Sequence, residues 1–436
     1  MRILVIENVS LGKKKYGFFE KTLLTTFSIL PTLHARQMVA LTPKKHTVDI
    51  INERYTRIDF NKPYDLININ FATSTALRAF EIAETFRKKN KTVVLSGIHP
   101  SLSPKESKEH ADSVIIGKGE LSWLDLLYDF EKGELKEFYY PCNYNDSFRI
   151  PPLNVQLPGF VVTGAIEATR GCPYKCTFCP DSHMLGGSDY YERPIPEVIS
   201  EIKALPQKTI MFYDASLTIN PIYTKNLFKK MIGLHKKFFC NGNINVLAQD
   251  KELVELSKKA GCVSWLIGFE SINQKTLDQM NKRTNIVEDY FQAVQNIHKC
   301  GMAVVGCFMF GFDTDNTETF SNTLDMVKDL KIDVADFSIL TPFPGTPIFE
   351  KFETEGRILT RDWSRYTGKN VVFQPKHMTP EELYNGVKDM YHDFYSNYYT
   401  LKRIMNGLSL GFYPFFLILA RNAISHMNYR LLLSSR

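Results

Sequence analysis

Ala168-Thr-Arg-Gly-Cys172-Pro-Tyr-Lys-Cys176-Thr-Phe-Cys179-Pro180 is the stretch on which the reading of this chain turns. It follows an apolar run, Ala165–Ala168, that reads as a strand, and its three cysteines are separated by three and then two residues. Thiols so close in sequence make a poor disulfide framework, whereas thiolates gathered on one loop are the ligands that iron–sulfur clusters use. A full cubane takes four ligands, so three leave one iron open, and an open metal position is where chemistry occurs. The competing reading is a zinc knuckle with His183, four residues on, as the fourth ligand. The strand before the loop and Phe178 directly before the last cysteine favour the cluster.

Downstream, apolar runs alternate with helical patterns. Thr209–Tyr213, Phe238–Gly242, Val263–Gly268, Ala303–Phe308 and Ala335–Leu340 read as further strands. Helical segments near Glu197–Ala204, Pro221–Lys236, Lys251–Ala260, Val287–Cys300 and Thr317–Leu330 separate them. Six such repeats predict a partial (β/α)6 barrel, with its chemistry at the carboxyl ends of the strands.

Upstream, Arg2–Ile6, Thr47–Ile51, Leu66–Asn70, Thr92–Ser96 and Ser113–Ile116 read as strands, with helical spacing over Ala76–Lys89 and Pro104–His110. This is the alternation of a doubly wound, Rossmann-like parallel sheet, whose ligands lie at the strand ends. The turns there carry Thr73-Ser74-Thr75, Ser96-Gly97-Ile98-His99-Pro100 and Gly117-Lys118-Gly119-Glu120, small residues that let backbone N–H groups approach a ligand. Between Gly133 and Gly159 the pattern dissolves into Pro, Asn, Tyr and Gly. The expected organisation is an α/β domain over 1–135, a linker over 136–160, the barrel over 161–348 and a mostly helical region over 349–436.

Composition sets the outer bounds. Hydrophobic residues make up 44% and charged residues 23% of 436, and a formal charge of +6 with no basic stripe upstream of the C-terminus argues against a nucleic-acid partner. The opening Met-Arg-Ile-Leu-Val-Ile-Glu reads as a buried strand rather than a secretory signal, so a reducing cytoplasm is expected. Cys142, Cys240, Cys262, Cys300 and Cys307 are scattered and read as core residues. The last 36 residues hold Lys402, Arg403, Arg421, Arg430 and Arg436 but no acidic residue. Within them Leu408–Ala420 is apolar yet too short, and interrupted by Pro414, for a span of about 20 apolar residues. Either an interfacial helix on anionic lipid or a helix packed on the barrel fits this tail.

At these residues the chain closely resembles the radical SAM superfamily, whose Cys-x3-Cys-x-aromatic-Cys loop follows the first barrel strand; the resemblance covers Gly164 to Thr346. It implies a [4Fe–4S] cluster on Cys172, Cys176 and Cys179. It further implies S-adenosylmethionine (SAM) on the open iron, cleaved by one electron to methionine and a 5′-deoxyadenosyl radical. The electron comes from an external reductant of flavodoxin or ferredoxin type. By the same resemblance Phe178, Asp214, Glu270, Ser271, Gly311 and Pro344 contact SAM, with Asp214 on the methionyl amine. The α/β domain looks like that of the class B, cobalamin-binding radical SAM methylases. This places Thr73, Ser74, Thr75, Gly97, His99, Gly117, Gly119 and Glu120 around cobalamin. The Asp-x-His-x-x-Gly motif that ligates cobalt elsewhere is missing, as it is in many members of that group.

The implied activity is methyl transfer to an unactivated carbon of a small-molecule or lipid-like substrate, with no general acid or base assigned. The alternatives are a cobalamin-containing cyclase or rearrangement enzyme and a metal-cluster-binding regulatory protein. A tRNA methylthiotransferase is rejected, because that family needs three more cysteines before the barrel and only Cys142 precedes the motif.

Overall fold

The computed structural model describes residues 1–8, 33–53, 56–141 and 162–433. Cys142, most of the expected linker, the Arg430 side chain and Arg436 lie outside the described residues.

The first sheet contains β1 (Arg2–Asn8), β2 (Thr47–Asn52), β3 (Leu66–Asn70), β4 (Thr92–Ser96), β5 (Ser113–Ile115) and β6 (Phe138–Tyr139). All its pairings are parallel, in the order β2-β1-β3-β4-β5-β6. Side-chain alternation divides each strand between two apolar layers. Leu4, Ile6, Ile67 and Ile69 pack against helix Ala76–Arg87, while Ile3, Val5 and Leu66 pack toward Trp123 and Leu126 of helix Trp123–Lys132. Burial on both faces is why these strands read as unbroken apolar runs. The chain order reverses beside β1, which opens a crevice at the carboxyl ends of β1 and β3. Strand β6 is an addition to the expected set, because two residues in a stretch read as linker carry no period of their own.

The second sheet is the partial barrel. It contains β7 (Thr163–Ile166), β10 (Thr209–Phe212), β11 (Lys237–Asn241), β12 (Cys262–Glu270), β13 (Ala303–Phe310) and β14 (Val334–Ile339). They run parallel in the order β14-β13-β12-β11-β10-β7. A two-residue antiparallel pair, β8 (Thr169–Arg170) with β9 (Tyr191–Glu192), brackets the cysteine loop. Strands β7 and β14 are the edges. Along β14 runs helix Pro380–Phe394, opened by a Thr379–Glu382 capping box. The Tyr391 hydroxyl accepts from the Phe337 N–H (3.1 Å). The Tyr395 hydroxyl accepts from the Ala335 N–H (3.2 Å) and donates to the Ala335 carbonyl (2.7 Å). Buried side chains thus do the work of a neighbouring strand and close an edge that would otherwise template foreign pairing.

Helices Asn397–Gly407 and Phe412–Leu433 form a hairpin against the strand starts of the barrel. Asn422 is fully buried, donating to the Asp333 carbonyl (3.1 Å) and accepting from Arg403 (2.8 Å), and Arg421 pairs with Asp336 (3.0 Å). Pro414 does not break the long helix: it stands in the first turn, where its missing N–H has no partner to lose. Among the described residues no helix is long and apolar enough to cross a membrane.

The tyrosine seam gives a direct test. Tyr395→Phe leaves the buried Ala335 N–H and carbonyl without their partner and should lower stability by about 1–3 kcal/mol. Chemical denaturation of the variant beside the parent chain measures this.

Candidate active site

The cysteine loop is shaped by backbone constraints that begin before the first thiol. Gly171 has φ +82°, and a Cβ there would lie 2.0 Å from the Asp189 carbonyl oxygen, so only glycine fits the turn. The Cys172 N–H donates to the Gly187 carbonyl (2.9 Å) and the Cys179 N–H to the Cys176 carbonyl (3.0 Å), curling the loop back on itself. Helix Pro180–His183 starts directly after Cys179.

From outside, the segment after helix Gln274–Gln279 clamps the loop. The Thr177 N–H donates to the Met280 carbonyl (3.0 Å), and the Asn281 amide donates to the carbonyls of Tyr174 (3.0 Å) and Lys175 (3.2 Å). Lys175 and Asn281 both adopt left-handed backbone conformations, with φ 46° and 57°. Such conformations in residues other than glycine mark a loop held by its surroundings.

The donor set fits a cluster better than a zinc ion. The His183 Nε2 lies 3.1 Å from the Cys176 carbonyl, so the imidazole is engaged with the backbone rather than turned among the thiols. Among the described residues no three Cys, His, Asp or Glu side chains gather as they would around a single ion. Burial pushes the Cys176 thiol up to about 11 and raises Cys172 and Cys179 as well, while the nearby Lys282 acts in the opposite direction on Cys172 and Cys176. Metal binding at this loop therefore carries proton release with it.

Asp214 is engaged by the backbone at the start of the cysteine loop. Its carboxylate is 1% exposed, and its oxygens accept from the Ala168 N–H (3.2 Å) and from both the N–H and the hydroxyl (2.6 Å) of Thr169. Burial raises its pKa to about 6 against the effect of those hydrogen bonds. The side chain ties the end of β7 to the start of the cysteine loop. Glu270, at φ 62°, instead pairs with Lys282 (3.1 Å) at the carboxyl end of β12. Burial works against the Lys282 ammonium, yet Glu270 and the Cys176 thiol hold its pKa above the usual lysine value.

Ser271 and Gly311 close turns. The Ser271 hydroxyl accepts from the Asn273 N–H (3.1 Å), and the Gly311 N–H donates to Asp315 (2.9 Å). Phe178 meets Phe312 edge-on at 6.4 Å, and Pro344 is buried beside Gly345, where Leu102 of the first domain packs. Sequence reasoning missed Lys282 and Asn281. The polar run Asn281-Lys-Arg-Thr-Asn285, following a strand-end Glu, was the available signal.

The glycine turns of the first sheet face this loop. Gly97 (φ +109°) is held against Phe71, whose carbonyl oxygen a Cβ would approach to 2.5 Å. Gly117 (φ +77°) lies against the Leu185 carbonyl, just past the cysteines. Ser74 and Thr75 are half-buried at the same end, and Gly119 rests on Ile115 and Met38.

Thr73, His99 and Glu120 have partners within the protein. Thr73 and His99 are fully buried, with Thr73 Oγ1 3.4 Å from the His99 Nδ1. The His99 Nε2 is 3.3 Å from Glu106, and the ring packs among Phe71, Phe80 and Trp363. His99 is thus held on all sides by protein groups. Glu120 pairs with Arg170, which also holds Glu167 and receives Gln37 as an acceptor (2.9 Å). Trp363, after the barrel, donates to Glu106 (2.7 Å). The carboxyl ends of the two sheets therefore face each other across the cysteine loop.

Residues 166–327 match the model of the radical SAM superfamily. The chain is 33% identical over 367 residues to the bacteriochlorophyllide d C-12(1)-methyltransferase of Chlorobaculum tepidum, covering 80% of this chain and 78% of that one. It is 31% identical over 367 residues to the C-8(2)-methyltransferase of the same organism, covering 79% and 80%. This chain belongs to the radical SAM enzymes. Its fold is shared along the whole length by the radical SAM methyltransferase TsrM of Kitasatospora setae, solved with cobalamin and a [4Fe–4S] cluster. The TM-score is 0.68 at 16% identity, covering 100% of this chain and 99% of that one. As a radical SAM enzyme it uses a [4Fe–4S] cluster and SAM.

The Asp214 tie carries a prediction. Asp214→Ala strips two buried N–H groups of their acceptor and should cost about 2–4 kcal/mol. Iron retained per chain after anaerobic reconstitution should fall with it, and iron analysis beside thermal unfolding reads both effects.

Proposed function

We propose that this radical SAM enzyme transfers a methyl group to an unactivated carbon. The observation that carries the reading is the opposition of the two strand-end surfaces, with the cysteine loop on one and the glycine turns on the other. Cys172, Cys176 and Cys179 would hold the cluster, and the turns at Ser74–Thr75, Gly97, Gly117 and Gly119 would border cobalamin. When bound, these groups supply the electron that cleaves SAM and the carrier of the methyl group.

The protein's own residues do the positioning. Asp214 fixes where the loop leaves β7, and Asn281 fixes its outer curve. Lys282 and Glu270 place a buried ion pair beside Cys176, where a charged SAM needs a polar wall. The Phe178–Phe312 contact gives the same site an apolar wall that excludes water from a radical. The named relatives act on bacteriochlorophyllide d, so a side-chain carbon of a chlorin macrocycle is the first substrate to try, with lipid-like molecules second. A flavodoxin- or ferredoxin-type donor supplies the electron.

The test is anaerobic reconstitution with iron, sulfide and hydroxocobalamin, followed by dithionite, methyl-deuterated SAM and a bacteriochlorophyllide substrate. The expected result is retained cobalamin together with 5′-deoxyadenosine and a product carrying the deuterated methyl, both products of turnover being lost in Cys176→Ala. Deoxyadenosine with a product of unlabelled, rearranged mass would replace methyl transfer by cyclisation or rearrangement.

A further inference from the structure

The end of the barrel opposite the active site has a surface that the methyl-transfer reading does not use. In a parallel sheet all strand starts lie at one end, and here the C-terminal hairpin covers that end. Its long helix is apolar on two sides. Ile418 and Asn422 are fully buried against the barrel, yet Phe412, Phe416 and Leu419 project outward, Phe412 with 70% of its surface exposed. The preceding helix and turn continue the stripe with Leu401, Met405 and Leu408, the first of them 61% exposed. Spacings of three and four residues put each set on one face of its helix. A helix that only had to cap the barrel would present polar residues outward.

Lysines predominate on the same end, with exposed Glu255 and Asp329 as carboxylates among them. Exposed lysines stand just before successive strands: Lys208 before β10, Lys259 before β12, Lys299 before β13 and Lys331 before β14. The hairpin adds exposed Lys402, and no Asp or Glu follows Asp393 in the chain. The carboxylates closest to the start of β14 are already paired, Asp333 with His298 (2.9 Å) and Asp336 with Arg421 (3.0 Å). The apolar stripe and the lysines are adjacent. The Lys237 Nζ lies 4.9 Å from the Tyr413 ring centroid, and Leu410 sits against Gly301, two residues past Lys299.

We propose that this face docks on the surface of an anionic phospholipid bilayer. The aromatic and leucine stripe would enter the headgroup boundary while the lysines meet lipid phosphates. A second copy of the chain fits less well, because a two-fold contact through this patch would set lysine against lysine. Docking in this orientation turns the cysteine loop and the glycine turns away from the bilayer. The substrate opening then faces the aqueous side, and the membrane acts as an anchor rather than as the source beneath the active site.

The experiment is flotation of the full-length chain with vesicles of phosphatidylcholine alone or mixed with phosphatidylglycerol. Binding should be roughly tenfold stronger on the phosphatidylglycerol vesicles and should weaken as salt rises. Phe412→Ser with Phe416→Ser should abolish flotation, and Lys259→Glu with Lys299→Glu should remove the preference for anionic lipid. All four positions are exposed, so circular dichroism and thermal unfolding of both variants should match the parent chain. Failure of the parent chain to float on either vesicle overturns the proposal. So does a dimer in size-exclusion chromatography that the two serine substitutions dissociate, because the stripe then belongs to a second copy.

Discussion

The arrangement of this enzyme depends on one buried guanidinium. Arg170 stands two residues before Cys172 and is 2% exposed, pairing with Glu120 from the first sheet and Glu167 from its own strand end. Burial lowers the pKa of Arg170 to about 9 and raises that of Glu167 to about 8. Charges in that condition are tolerable only when each has its partner. Removing one partner of such a buried pair typically costs about 3–5 kcal/mol, because the other charge is left stranded. The network therefore adds little net stability and a great deal of geometric selectivity. If the first sheet turned away from the barrel, Arg170 would lose Glu120 and Gln37 together. The placement of the glycine turns and the placement of the cysteine loop thus reduce to a single condition, that this seam is closed.

The parts of the molecule legible from sequence are those whose cause is local. Three cysteines at fixed spacing need only one loop to converge, and Leu66–Asn70 and Thr92–Ser96 are buried on both faces, so their apolar runs mark the strands to the residue. Gly97 and Gly117 also announce themselves, since their positive φ is a property of single residues. The parts that were not legible depend on partners distant in the chain. A carboxylate at the end of β10 signals a polar contact, but nothing near Asp214 says that the N–H groups of Ala168 and Thr169, 45 residues and more away, take it up. Nothing near His99 in the sequence shows that Glu106, Thr73 and Trp363 close around it. Pro414 weighed against a long helix, and only the position of the helix start shows that it falls where a proline is harmless.

The two ends of the barrel illustrate how one topology divides labour. Strand carboxyl ends leave backbone groups and variable loops free, and that is where Cys172–Cys179, Glu270 and the Phe312 turn accumulate. Strand starts are fixed by the helices that return to them, and in this chain they carry lysines and the C-terminal hairpin. Changes at the hairpin are therefore remote from the chemistry, while changes at Arg170 or Asp214 reach it through the backbone of the loop itself.

Charge balance around the loop closes the argument. Three thiolates on one turn concentrate negative charge in a pocket that must also keep water out, and burial alone drives all three thiols toward their protonated form. Lys282 offsets this from close by, and it is itself held as a cation by Glu270 and the Cys176 thiol. Its neighbour Asn281 grips the carbonyls of Tyr174 and Lys175, so the counter-charge and the outer wall of the loop are delivered by adjacent residues of one segment. That coupling explains why the segment adopts a left-handed turn at Asn281: the backbone there must hold the loop and aim Lys282 at the same time. The site is consequently assembled from two directions, Arg170 and Asp214 fixing its inner edge and Asn281 and Lys282 its outer one.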